Sequence, residues 1–171
     1  MPEILVPAFP LLGEPGAWDA LTLVAATIFL EAQDEPWEGV LGVAYVIRQR
    51  AVDWKLGWHG AILGADQRAY DDGKAFEPFS CFGDDYRSRA MARLSTATPA
   101  MAEPSWKASA AALWELLPDP VGGATFYLRL DATRKIRGGP LPAWAADPAD
   151  ATQVDARKVT AVIGHHHFLR A

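Results

Sequence analysis

Apolar side chains at Leu21, Val24, Ala25 and Ile28 recur at the spacing that gathers them on one face of a helix. The pattern predicts a first helix over 18–32, capped near Asp19. The break Asp34-Glu35-Pro36 should stop it near Glu35, because proline disfavours helical geometry in the residue before it. Pro36 suits the first position of a second helix, which Val40, Val43, Ala44 and Ile47 carry to about Val52. Arg48 and Arg50 then complement its C-terminal end and read most simply as solvated. A connection of two or three residues makes a tight corner between the helices, with Glu31 beside it.

From 53 to 100, glycines and prolines interrupt any long period, and only a short helix over 86–94 is expected. Loops this long in a compact domain tend to carry function. A third helix is predicted from Pro104 or Ser105 to Leu117. The turn Asp119-Pro120-Val121-Gly122-Gly123 leads into a strand over 124–130, a loop containing Trp144 follows, and a second strand covers 161–170. The outline is α+β: several helices and a small sheet from the C-terminal half.

The length of 171 residues suits one domain, read as a proline-containing leader over 1–17 and a folded domain over 18–171. Half of the residues are hydrophobic, which argues against disorder, and seven tryptophans suit a groove for a sugar chain, although most tryptophans in a globular protein serve the core. A net charge of −5 argues against a nucleic-acid partner and leaves a neutral polymer open. Cys81 is the only cysteine, so no intrachain disulfide can form; with no base near it in sequence, it reads as a small buried side chain rather than a nucleophile. Neither a secretory signal nor a run long enough to span a membrane is apparent, so synthesis in the cytoplasm is expected.

Glu31, flanked by Phe29 and Leu30, has the setting of an acid catalyst, since apolar surroundings favour the neutral, proton-donating form of a carboxyl group. Position alone leaves a solvated helix-edge glutamate as the more common outcome.

Three separated segments shift that balance. Residues 26–39 contain Ile28-Phe29-Leu30-Glu31-Ala32 and Glu35-Pro36-Trp37-Glu38-Gly39; residues 119–127 contain Asp119-Pro120 and Gly123-Ala124; residues 163–168 read Ile163-Gly164-His165-His166-His167-Phe168. In this order, with Phe79-Ser80 and Trp144 between them, they resemble the SleB/CwlJ cell-wall hydrolase family over roughly residues 19–170. The chain departs from the family pattern at Leu30, Gln33 and Asp34, and Phe126 and Tyr127 hold two aromatic positions with their chemistry exchanged.

The resemblance implies a mainly helical, lysozyme-like domain acting on peptidoglycan glycan strands. It implies lytic transglycosylase chemistry leaving 1,6-anhydro-N-acetylmuramic acid, with Glu31 as acid and then base and no cofactor. One carboxyl group suffices because no water has to be activated. Substrate contacts are expected from Ser80, Phe126, Tyr127, Trp144, His166 and Glu35. Ser80 is equally a backbone cap, Glu35 more readily a structural carboxylate at the corner, and Phe79 a core residue. Adjacent histidines on a strand project to opposite faces, which argues against a metal site at His165-His166-His167.

An endolysin or virion lysin, released with the help of a holin, is the setting this reading suggests. The alternatives are a hydrolytic muramidase or wall amidase, with Glu77, Asp84 or Asp85 as second acid, and a non-catalytic glycan-binding or virion structural protein.

Overall fold

The computed structural model describes residues 8–10, 13–64, 79–83 and 86–170, the Ser80 side chain excepted. Helix α1 spans Ala20–Ala32, and the Asp19 carboxylate caps it by accepting from the Thr22 amide at 2.9 Å and the Thr22 hydroxyl at 2.6 Å. Nearly every residue from Thr22 to Ala32 is buried, so α1 runs through the core rather than along its edge. The one hydroxyl this would strand, on Thr27, donates to the Leu23 carbonyl at 2.7 Å.

Helix α2 spans Trp37–Asp53, with Pro36 as its N-cap rather than its first residue. A single turn, α3 (Gly57–His59), continues into a π-turn at Gly60–Gly64. Helix α4 covers Arg87–Thr96 and α5 covers Pro99–Leu113. Helix α5 starts earlier than its pattern suggested because the Thr98 side chain accepts from the Met101 amide and caps it. Pro104 therefore lies inside the helix, not at its start. Both α1 and α2 pack against α5, whose small buried residues Ala102, Ser105, Ala108, Ser109, Ala111 and Ala112 permit close approach. Ser109 donates to the Leu21 carbonyl at 3.0 Å across that contact.

The sheet has strands β1 (Phe126–Arg129), β2 (Val159–Ile163) and β3 (His166–Leu169) in the order β1-β3-β2, all antiparallel. The single strand expected over 161–170 is thus a hairpin: Ile163 pairs with His166, leaving Gly164-His165 as the turn, with Gly164 at φ 56°. Helix α6 (Leu130–Arg137), where a loop was expected, ends on left-handed Gly138.

Two features seat the sheet on the helices. A Cβ at Gly42 would lie 2.7 Å from Phe168 Cζ and 2.8 Å from Val121 Cγ1, so α2 lies directly on the central strand there. The Asp119 carboxylate accepts from the Val121 amide at 2.8 Å and the Gly123 amide at 2.6 Å, which shapes the turn before β1. Of the leader, Phe9 is buried, its ring 5.4 Å from Phe29 and 5.5 Å from Trp106.

Candidate active site

Glu31 sits in the last turn of α1, half-buried, where the core helix reaches the surface. Strand alternation turns Tyr127 of β1 toward it, and the phenol donates to Glu31 Oε2 at 2.8 Å. Burial, and then the adjacent Glu31 carboxylate, push the Tyr127 hydroxyl well above its usual range, so it stays a neutral donor. The Cys81 thiol is pushed up by the same two causes and is within hydrogen-bonding reach of Glu31. Long-range folding thus places a carboxylate beside Cys81, which the local sequence did not reveal. Its charge opposes thiolate formation, so Cys81 serves Glu31 as a neighbour rather than as a nucleophile.

A cleft of about 180 Å³ runs along residues 30–35 and is completed by Arg93 of α4 and Arg129 of β1. Arg93 Nη1 donates to the Leu30 carbonyl at 3.2 Å, beside the Glu31 turn.

Glu35 closes the other end of this cleft, with its side chain only 2 % exposed. It gives α2 no side-chain cap. Instead Oε2 accepts from the His165 amide at 2.9 Å, and Oε1 lies 3.1 Å from His165 Nδ1. Burial alone would raise the Glu35 carboxyl, but the His165 amide and the two histidine rings outweigh it and hold it below the usual range. A side chain at Gly164 would overlap this carboxylate, so the Glu35 corner and the Gly164 turn fit only with glycine there.

His166 is 1 % exposed, its ring 4.9 Å from Tyr127 in an edge-on arrangement. Burial lowers it to about 4, with Arg129 adding to the effect and Glu35 opposing it, so the imidazole is neutral near pH 7. His165 is exposed in the turn rather than on a strand. Among the described residues no group of three or more His, Cys, Asp or Glu is placed to hold a metal ion.

The other expected contacts divide by face. Phe126 points away from Glu31 and stacks on Trp144 at 4.8 Å, with Trp54 at 5.9 Å. The structure does not bring Phe126 and Trp144 to the cleft. Phe79 is 4 % exposed and belongs to the core. The backbone of Ser80 opens a 3-10 turn, Ser80–Phe82, that carries Cys81; its side chain, like Glu77, Asp84 and Asp85, lies outside the described residues.

Arg50 corrects the expectation of a solvated helix end. It is 4 % exposed, donates from Nε to the Thr125 carbonyl at 2.6 Å, and holds its guanidinium 4.8 Å from the Phe79 ring and 5.1 Å from Phe126. Helix periodicity placed it near the C-terminus of α2, but nothing local signalled the aromatic surround supplied by Phe79 and β1. Cys81, Arg93 and Arg129 were missed for the same reason: each reaches the site from a different element.

The site is thus a carboxyl group on a core helix, facing a cleft beside a small antiparallel sheet and held by a phenol, in a mainly helical α+β domain. No family model matches the chain, and no curated protein matches it. Among solved structures, the chain is similar to the catalytic domain of the SleB protein of Bacillus cereus, with 20 % identity over 96 % of this chain and 98 % of that one, at a TM-score of 0.52. The likeness is one of fold, and it spans nearly the whole of both chains.

Proposed function

We propose that the protein cleaves the glycan strand of peptidoglycan between N-acetylmuramic acid and N-acetylglucosamine, as a lytic transglycosylase acting through Glu31. The observation that carries this reading is the Glu31 carboxyl group facing a cleft, with Tyr127 donating to Oε2. The phenol and the neighbouring Cys81 thiol hold the carboxyl group at the edge of the cleft. The motif resemblance and the shared fold support the choice of polymer.

In the proposed reaction, neutral Glu31 gives its proton to the glycosidic oxygen as the bond to the muramic acid anomeric carbon breaks. The N-acetylglucosamine leaves with that proton as a free hydroxyl. Glu31, now a carboxylate, accepts the proton of the muramic acid C6 hydroxyl while that oxygen attacks the anomeric carbon. The product is a 1,6-anhydro ring and the enzyme returns to its starting state. No water enters, so a second carboxylate at glycosidase spacing is not required. Glu35, engaged by His165, acts in this scheme as the strut of the corner. A lysin, of a phage or a virion, is the setting we propose for this activity.

The test is mass analysis of soluble products from purified sacculi. Wild type is expected to release anhydromuropeptides, and Glu31→Gln to lower the rate by about 10²–10⁴-fold. Reducing N-acetylmuramic acid ends would assign a hydrolytic muramidase instead. Free stem peptides would assign an amidase, and binding without any product a non-catalytic glycan-binding protein.

A further inference from the structure

We propose that Arg93 and Arg129 form a recognition site for a carboxylate on the muramic acid side of the substrate, an inference that rests on the glycan-cleaving reading above. The protein as a whole carries a net charge of −5, yet two guanidinium groups from separate elements meet at the small cleft beside Glu31. They approach from different sides. The charge of Arg93 is felt at Cys81, next to Glu31, and that of Arg129 at His166, next to Glu35.

Neither guanidinium is committed to a tight ion pair. Arg129 lies 3.7 Å from Asp131 at a contact whose side chains are 42 % and 70 % exposed, a geometry of little strength in water. Arg93 donates to the Leu30 carbonyl and, among the described residues, pairs with no carboxylate. Arg157 shows the contrast, gripping Asp155 through Nε and Nη2, each at 2.9 Å. The alternative is that the two arginines only balance Glu31, Asp34 and Glu35, which line the same cleft.

A planar guanidinium presents paired donors that match a carboxylate, and it keeps its charge throughout the working pH range. A neutral chitin-like strand offers nothing for such a pair to read. A muramic acid strand does. Its lactyl group ends in a carboxylate where the stem peptide has been removed, and the stem peptide carries carboxylates where it is present. The chemistry of the two sources is shared, and substrates can separate them.

The experiment measures kcat/KM of the full chain on two materials, each native and with its carboxyl groups converted to methylamides. One is intact sacculi; the other is strands stripped of stem peptides. Wild type is expected to favour at least one native form by about tenfold, the order of effect of a charged hydrogen bond. Arg129→Gln should bring that preference close to one, and Arg129→Lys should retain part of it. Arg93→Gln, on a different element, is the second variant and should reduce the same ratio. A preference on stripped strands assigns the lactyl carboxylate; one confined to sacculi assigns the stem peptide. Equal rates on native and amidated forms in wild type, or variants that slow all substrates alike, overturn the proposal and leave the arginines as charge balance. A wild type that releases no product from any of the four materials sinks the glycan-cleaving reading, and this inference with it.

Discussion

Tyr127 and Glu31 are 96 positions apart in the chain, and their hydrogen bond fixes the Oε2 side of the carboxyl group. Because burial keeps the phenol protonated, Tyr127 remains a donor throughout the neutral range. Tyr127→Phe keeps the buried ring and removes only the donor. We expect kcat on sacculi to fall by roughly tenfold or more, the scale of a hydrogen bond to a charged group, with KM changed less than twofold. A rise in KM at constant kcat would instead assign Tyr127 to substrate binding. The position of Glu31 at the end of a buried helix was legible in the sequence, because the apolar period of α1 runs up to it and the Asp34-Glu35-Pro36 break follows. Tyr127 was legible as an aromatic position but not as the partner of Glu31, since strand alternation fixes a side and not the group that occupies it.

At the scale of elements, the helices were easier to read than the strands. The starts of α1 and α2 carry local signals, Asp19 and Pro36, and both fell within two residues of expectation. Helix α5 was misplaced because Pro104 looks like a helix start, whereas Thr98 does the capping and Pro104 is tolerated inside. The hairpin β2–β3 was read as one strand because its turn is only Gly164-His165 and the apolar pattern continues through it. That turn supplies a sharp test. Gly57 and Gly164 both have positive φ, 64° and 56°, but only Gly164 faces another group, the Glu35 carboxylate, while a Cβ at Gly57 meets nothing within 4 Å. Gly57→Ala should cost about 1–2 kcal/mol from backbone conformation alone. Gly164→Ala should cost clearly more in urea unfolding, and equal costs would show that Glu35 does not press on the turn.

For the molecule as a whole, Glu35 and His166 act in the same direction on acidification. Glu35 titrates lower in the folded chain than in the unfolded one, so its contribution is present above its unfolded value and is lost as pH falls through its lower folded value. His166 falls to about 4 on folding from an ordinary 6.5, so only the unfolded chain takes up its proton between these limits, and stability drops across that window. Its share is roughly 3 kcal/mol at most. Thermal midpoints measured from pH 7 down to pH 4 should therefore decline in wild type, and His166→Phe should flatten the part above pH 4. An unchanged slope in that variant would show that other groups carry the acid response.

The bond from the His165 amide to Glu35 joins residues 130 positions apart. This has a consequence for the newborn chain. The helix bearing Glu31 leaves the ribosome early, whereas the hairpin that braces its corner emerges far later. At about 5–20 residues per second, the interval is roughly 7–26 s. Throughout it, the acid is present without its brace, and for most of it without Tyr127, so a stalled or prematurely released chain carries Glu31 but not the assembled cleft. On the proposed function, competence to cut a glycan would then come only to chains translated through the second hairpin strand.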